Sequence, residues 1–177
     1  MMDLADSILL RPAAVADVPQ IAAMERRAEM RDFVGQWSEE RHLQTLSNSD
    51  ARYFVSESAP GELQAYAILR GIGEASRSIE LKRVVVASPG RGLGRRILHE
   101  LMRIAFEDFS AHRLFLDVFE DNARARHVYE SLGFVYEGVM REAGERGEQF
   151  ISLHLMSILD REYRPAPFLT PTTTPPV

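Results

Sequence analysis

A glycine-rich turn in the middle of the chain constrains the fold most strongly. The β-branched run Val84-Val85-Val86 is followed by Gly90-Arg91-Gly92-Leu93-Gly94-Arg95-Arg96, and then by a stretch to Phe109 with apolar residues at four-residue spacing. This pattern predicts a buried strand, a tight turn and a helix start. Glycines allow close backbone approach, a helix start binds anions, and arginines donate to phosphate. A phosphorylated ligand is one interpretation, and a structural turn with solvated arginines is the other.

Two nucleotide-binding patterns do not fit this turn. A P-loop requires a lysine and a hydroxyl residue after its last glycine, and neither is present. The dinucleotide fingerprint requires a glycine where Arg95 stands. That fingerprint also opens the first strand–helix–strand unit of its fold, whereas this turn lies mid-chain. The sequence therefore excludes both nucleotide interpretations.

Hydrophobic periodicity and turn residues predict seven strands and four helices in a mixed α/β fold. The fourth and fifth strands flank the long helix and should be parallel, because such crossovers are right-handed; the others should be antiparallel. Asp17 and Ser38 are predicted N-caps, Gly133 a helix stop, and 144–147 a hairpin turn. The predicted strands cover 8–11, 53–57, 63–69, 79–87, 113–119, 134–140 and 150–158, and the helices 17–30, a segment after Ser38, 93–109 and 123–132.

Composition restricts the partners. With 21 basic and 26 acidic side chains, the net charge of −5 argues against nucleic acid or an anionic membrane. The absence of cysteine excludes a disulfide, a thiolate metal site and a cysteine nucleophile. The five histidines have no metal-binding spacing, so no metal is expected. The N-terminus has neither the basic region nor the apolar run of a signal peptide, and a cytoplasmic location is predicted.

A second motif identifies a family. The segment Asn122-Ala123-Arg124-Ala125-Arg126-His127-Val128-Tyr129-Glu130-Ser131-Leu132-Gly133-Phe134 resembles motif B of the GNAT superfamily of N-acyltransferases, N-x-x-A-x-x-x-Y-x-x-x-G-F, at every fixed position. The glycine-rich turn resembles motif A of that superfamily, Gln/Arg-x-x-Gly-x-Gly/Ala. Pro89 stands where Gln or Arg is usual, which removes one expected contact to the pyrophosphate. The resemblance covers roughly residues 7–160.

The resemblance implies the GNAT fold, in which the fourth and fifth strands splay apart, and acetyl-CoA as co-substrate. The pantetheine arm would lie along Val84, Val85 and Val86. The pyrophosphate would lie on the turn, whose binding residues would be Arg91, Gly92, Leu93, Gly94, Arg95 and Arg96. An amine acceptor would enter from the opposite side and attack the thioester directly.

The resemblance also implies catalytic roles. Tyr129 would protonate the leaving thiolate, or is a packing tyrosine. Glu80 is a candidate general base. Strand alternation places it on one face with Lys82, Val84 and Val86. The alternatives are that Glu80 only forms a salt bridge and that water removes the proton. Tyr129 and Asn122 would also contact the cofactor. The alternative for Asn122 is that its side chain only caps the helix that follows it.

The acceptor is predicted only as a primary amine: a protein N-terminus, a polyamine or a small molecule. Candidate pocket residues are Phe33, Trp37, Glu39, Glu40, Glu142 and His154. A catalytically silent acyl-CoA-binding module is the alternative function. The predicted domain covers residues 1–164, followed by a Pro/Thr-rich extension over 165–177. The C-terminal hairpin and this extension suggest a homodimer.

Overall fold

A computed structural model describes residues 8–90 and 92–165. Two predictions, the phosphate contact of Arg91 and the extended conformation of the Pro/Thr-rich tail beyond Pro165, lie outside the described residues. The strands are β1 Arg11–Pro12, β2 Ala51–Ala59, β3 Glu62–Arg70, β4 Ser78–Val86, β5 Arg113–Phe119, β6 Val135–Arg146 and β7 Gln149–Leu159. The helices are α1 Val18–Glu25, α2 Ala28–Arg31, α3 Glu39–Leu46, α4 Leu93–Arg103, which continues as a π-helical turn Ile104–Asp108, and α5 Ala123–Ser131.

The strands form one sheet in the order β1-β2-β3-β4-β5-β7-β6. The β4–β5 pair is parallel and all other neighbouring pairs are antiparallel. A short β1 pairs with β2, and β6 forms the opposite edge. The predicted mixed α/β class, strand number and parallel crossover are confirmed.

Each face of the sheet is covered by helices. On one face, α4 and α5 pack on β5 through residues such as Ile97, Leu101 and Leu116. On the other face, α1 and Trp37 pack on β2 and β3 through Ile21, Tyr66 and Ile68. We call these the α4 face and the α1 face. Both sides of the central strands are therefore buried, which explains the continuous apolar runs of β3 and β4.

The first helical segment differs from the prediction. Instead of one helix over 17–30, α1 ends at Glu25 and a separate turn of helix begins at Ala28. Asp17 does not cap α1 with its side chain; its carboxylate accepts from the N–H of Ala14 at 2.7 Å and pairs with Arg11 at 2.8 Å. The Asp17 side chain thus holds the preceding 3-10 turn, Val15–Asp17, against β1. Ser38 caps α3 as predicted.

The last hairpin turns later than predicted. Strand β6 continues through Gly144 to Arg146, and the connection is the two-residue turn of Gly147, at φ +60°, and Glu148. Gly144 pairs with Ile151 inside the sheet, where an added Cβ would lie 2.8 Å from the Phe119 ring. This glycine is therefore required by close packing and not by a turn.

Candidate active site

A gap opens between the two parallel strands. Strand β4 pairs with β5 only from Ser78 to Glu80, opposite Arg113 to Phe115. Beyond this point the second half of β4 keeps its partner β3, with Ala67 opposite Val84 and Ala65 opposite Val86. The β5-facing backbone groups of Val84–Val86 are thus left at an unpaired edge. The predicted splay is present, and an extended amide-bearing chain fits this edge as a strand does.

A β-bulge in β4 changes which side chains share a face. Ile68 lies opposite Arg83 and Leu69 opposite Leu81, so Lys82 is the extra residue. Val84 and Val86 therefore lie with Leu81 on the α4 face, whereas Glu80, opposite Arg70, lies on the α1 face. The predicted grouping of Glu80 with Val84 and Val86 is wrong, because strict alternation fails at the bulge.

The turn before α4 has the geometry of an anion site. Gly90 and Gly92 have φ values of +101° and +74°, which non-glycine residues rarely adopt. Gly92 is the N-cap of α4 and provides no side-chain cap, so the first amides of an 11-residue helix are open to a ligand. Leu93 anchors the helix start in the core and Gly94 packs near Val86.

Three arginines of the described residues surround this turn. Arg95 is exposed and donates to Ser131 Oγ at 2.9 Å. Arg96 lines a cavity of about 290 Å³ with Leu9, Gln64 and other residues of the β1–β3 end. Arg124, which the sequence did not single out, lies on α5, and its Nη2 would be 3.8 Å from a Cβ at Gly90. The turn therefore has cationic neighbours from α4 and α5.

Replacing Arg95 by alanine is expected to weaken acetyl-CoA binding about tenfold, because a hydrogen bond between a cation and phosphate contributes roughly 1.5 kcal/mol. Calorimetric titration with acetyl-CoA measures the effect. Arg103→Ala is the matched control, since this arginine lies on the same helix but pairs with Glu100 and Asp108. A short acetyl thioester without phosphates should bind wild type and Arg95→Ala equally; an equal loss for both ligands would contradict a phosphate contact.

Tyr129 lies in the core of the α4 face, 9% exposed, with its ring 5.7 Å from that of Phe134. Burial raises the pKa of Tyr129 to about 12, and the negative charge of Asp117 adds to the rise. The hydroxyl is therefore protonated throughout the neutral range. Its role as the acid stays a prediction.

Two carboxylates share one lysine on the α1 side of the gap. Lys82 Nζ lies 3.1 Å from Glu80 Oε1 and 3.7 Å from Asp117 Oδ2. Glu80 Oε2 also lies 3.7 Å from Arg70. The salt bridge considered for Glu80 is thus present, and its role as base stays a prediction. Asp117 was not predicted as a site residue, although it is a charged residue directly between the apolar residues Leu116 and Val118 of β5.

Two further predicted contacts have local partners. Asn122 Oδ1 accepts from the N–H of Ala125 at 3.1 Å and so caps α5; a cofactor contact stays a prediction. His154 lies opposite Val118 on the α4 face, 3.1 Å from Arg126 and against the ring of Tyr136. Because paired residues of two strands share a face, His154 lies on the opposite face of the sheet from Glu80 and Asp117, and an acceptor contact of His154 stays a prediction.

The predicted acceptor residues do not form one group. Trp37 is 8% exposed, and the guanidinium groups of Arg41 and Arg83 lie 4.2 and 4.1 Å from its ring centroid. Phe33 is 44% exposed and lies near Arg146. Glu142 borders a cavity of about 500 Å³ with Arg141 and Ser152. Trp37 is therefore a packing residue here, and Phe33 remains an open candidate; Glu39 and Glu40 are exposed at the start of α3.

Glu142 has an unusual backbone. Its φ of +51° is rare for a residue with a side chain, and its N–H donates to Ser152 Oγ at 3.3 Å. It belongs to an irregular segment of β6, since Met140 pairs with Leu153 but Gly144 with Ile151. The segment brings Glu142 to the rim of the 500 Å³ cavity, where its acceptor contact stays a prediction.

Within residues 8–90 and 92–165 no group of histidine and carboxylate side chains is arranged to hold a metal ion. Among the helices of the same residues, none is long and apolar enough to span a membrane.

Comparison with known proteins agrees with this geometry. The sequence profile of the acetyltransferase (GNAT) family matches residues 22–134, more than half of the chain. Spermidine N(1)-acetyltransferase of Escherichia coli K12 is 27% identical over 175 residues, covering 92% of this chain and 91% of the relative. Streptothricin acetyltransferase of Streptomyces lavendulae is 32% identical over 93 residues, covering 52% and 49%.

A solved structure has the same fold. The spermidine N-acetyltransferase from Vibrio cholerae in complex with CoA and spermine has a TM-score of 0.78 and 24% identity, covering 89% of this chain and 98% of that one. The chain's own splay, glycine turn and motif B tyrosine fit acetyl-CoA, and the relatives support an enzyme over a silent acyl-CoA-binding module. The chain belongs to the acetyltransferase (GNAT) family and is an acetyl-CoA-dependent N-acetyltransferase.

Proposed function

We propose that this enzyme acetylates a primary amine of an aliphatic polyamine. The observation that supports this most directly is Lys82, an alkylammonium of the chain itself, placed between Glu80 and Asp117 beside the β4–β5 gap. Two carboxylates around one ammonium group are a suitable binding site for a second such group. Relatives named for spermidine acetylation point to the same class of acceptor.

The chain's residues divide the proton transfers between the two sides of the gap. Acetyl-CoA supplies the acetyl thioester. An alkylamine with a pKa near ~10 is mostly protonated at pH 7, so it must lose a proton before it attacks. Glu80 or Asp117, both on the α1 side, receives or relays that proton. As the N–C bond forms and the C–S bond breaks, Tyr129 protonates the sulfur from the α4 side. The nitrogen's second proton and the proton on the carboxylate leave through solvent, and Tyr129 regains its proton from solvent, so that a single proton is released for each acetyl group transferred.

A panel of acceptors tests the proposal. Thiol release from acetyl-CoA should be faster with spermidine, spermine and linear diamines than with an amino acid, a peptide N-terminus or streptothricin. The ranking is read from kcat/KM at saturating acetyl-CoA. Peptide or streptothricin as the best acceptor would replace the polyamine assignment, while turnover of any amine would still agree with the family.

We also propose a homodimer in the cytoplasm. Support for the dimer comes from β6, an edge strand with exposed Val135, Tyr136 and Val139, and from exposed Phe150 on β7. Light scattering of the purified protein measures the oligomeric state, and a monomer at micromolar concentration would contradict the dimer.

Cytoplasmic location is supported by the need for acetyl-CoA, and cell fractionation tests it. The division into a domain over 1–164 and an extension over 165–177 is likewise proposed; limited proteolysis should cleave within the extension.

A further inference from the structure

Arg146, at the end of β6, occupies a cage of acidic and aromatic groups. Its two terminal nitrogens bind the Asp121 carboxylate at 2.7 and 3.0 Å. Its guanidinium carbon lies 4.7 Å from the Phe119 ring centroid and 5.7 Å from that of Phe33. The Asp121 hydrogen bonds raise the pKa of Arg146, and the charge of Asp32 adds to this effect. A carboxylate with aromatic faces beside it is a binding site for organic cations in general.

The cage lies on the α1 face of the sheet, where the proposed function places the acceptor. Phe119 is two residues from Asp117 on β5, so the two share the α1 face and their Cα atoms are about 7 Å apart. The missing side chain at Gly144 lets the Phe119 ring lie against β6, close to where Arg146 emerges. The Arg146 cage is thus the next site along this face after the Lys82 pair.

Two cations of the chain bind carboxylates that follow one another along the chain at the end of β5. Lys82 lies beside Asp117 and Arg146 binds Asp121. Phe119, whose ring lies 4.7 Å from the Arg146 guanidinium carbon, comes between the two aspartates along the chain. A polyamine has ammonium groups separated by short methylene segments. With the reacting amine near Asp117, its next ammonium would reach the cage while the methylenes cross Phe119.

The contacts in the cage leave one hydrogen-bond donor of Arg146 unpaired. Arg146 Nε is buried without a hydrogen-bond partner among the described residues. An unpaired buried donor is unfavourable, which lowers the cost of moving this side chain aside. Most of the remaining attraction comes from Asp121, and that attraction is available to any cation that enters the cage.

We propose that the Arg146 cage is a binding site for a second ammonium group of the acceptor, and that Arg146 competes with that group. Arg146 then sets how well the enzyme accepts polyamines relative to monoamines. The inference rests on the proposed function, because it assumes an amine with more than one charge.

The test compares kcat/KM for spermidine with kcat/KM for a primary alkyl monoamine of similar length. In Arg146→Gln the competing charge is gone, and the spermidine-to-monoamine ratio should rise about tenfold. Adding Asp121→Asn to that variant should return the ratio to the wild-type value or below. Arg146→Lys keeps a competing cation and should stay near wild type. Arg52→Gln is the control for net charge, because it removes the same charge at another position. The Arg52 guanidinium donates to backbone carbonyls of β2 and of the preceding turn.

An unchanged or lower ratio in Arg146→Gln would overturn the inference. If that variant does not fold, Arg146→Met serves instead, since it also removes the competing charge while keeping an unbranched apolar side chain beside the Phe119 ring; the ratio should again rise, and no change would count against the site. Calorimetric titration of spermidine in the presence of CoA separates the two proposals. Tighter binding to Arg146→Gln than to wild type would support the cage even if neither amine were acetylated.

Discussion

Tyr129→Phe should lower kcat by about a hundredfold to a thousandfold while the affinity for acetyl-CoA changes little, because a general acid typically contributes that much. The substitution removes only the hydroxyl, and the ring keeps its contact with Phe134 in the core. Steady-state kinetics with the best amine of the panel gives kcat, and calorimetry gives the dissociation constant of acetyl-CoA. The sequence motif and the α5 position of the tyrosine support this role.

The pKa of Tyr129 makes the prediction demanding. A phenol at about 12 that protonates a thiolate near ~8.5 moves the proton uphill by ~3.5 units, roughly 5 kcal/mol, compared with roughly 2 kcal/mol for an unperturbed phenol. The transfer is feasible only if the same dry site also raises the basicity of the sulfur. Tyr163→Phe, which removes a hydroxyl bonded to Glu107 far along the chain, is the control. A loss of less than about twofold in Tyr129→Phe would leave the tyrosine as a packing residue.

The parts of the fold that depend on local pattern could be predicted from the sequence. The motif B spacing located α5, the capping oxygen of Asn122 and the stop at Gly133, whose φ is +95°. Alternation and β-branched residues located β4 and β5. The two motifs together implied the splay, which no single element could have shown, because it depends on where two strands stop pairing.

The parts that depend on pairing between distant segments could not be predicted. The bulge at Lys82 exists only in its register with β3, so strict alternation along β4 wrongly grouped Glu80 with Val84 and Val86. Gly144 looked like a turn residue because its contact with Phe119 is more than twenty residues away along the chain. Asp117 and Arg146 were not predicted for the same reason. Each can be recognised as a site residue only from the cations, carboxylates or rings that other elements place beside it.

Sequence reasoning also missed the ionic cluster that joins α1 to the sheet. Glu25 is fully buried, and its Oε1 accepts from the Tyr66 hydroxyl and from Arg83 at 2.7 Å. Its Oε2 accepts from the N–H of Trp37 at 2.7 Å. His42 Nε2 lies 3.3 Å from Oε1. Arg83 follows the bulge residue Lys82, so this cluster holds β4 against α1 next to the bulge.

Glu25→Ala should destabilise the protein by about 3–5 kcal/mol, because it leaves the Arg83 charge buried and unpaired. Thermal and urea unfolding measure the loss. The control is Glu29→Ala, an exposed glutamate at the start of α2, which should change stability by less than about 0.5 kcal/mol. Equal unfolding midpoints for the two variants would show that the cluster contributes no net stability.

The pH dependence of stability gives an independent measure of the same carboxylate. Burial alone would raise the pKa of Glu25, but His42, Arg83, the Trp37 N–H and Tyr66 together outweigh it and lower the pKa. A carboxylate with a lowered folded-state pKa stabilises the protein above its unfolded value, near ~4.3, and that stability is lost as the pH falls through the folded-state pKa. Wild type should therefore lose more stability than Glu25→Gln between about pH 5 and pH 3, where the amide cannot titrate.

Because the amide also leaves Arg83 without its counter-charge, Glu25→Gln should be less stable than wild type at pH 7, and the two unfolding curves should converge in acid. Parallel loss in both proteins would mean that the pKa of Glu25 is the same in the folded and unfolded states, and the ionic description of this cluster would then be wrong.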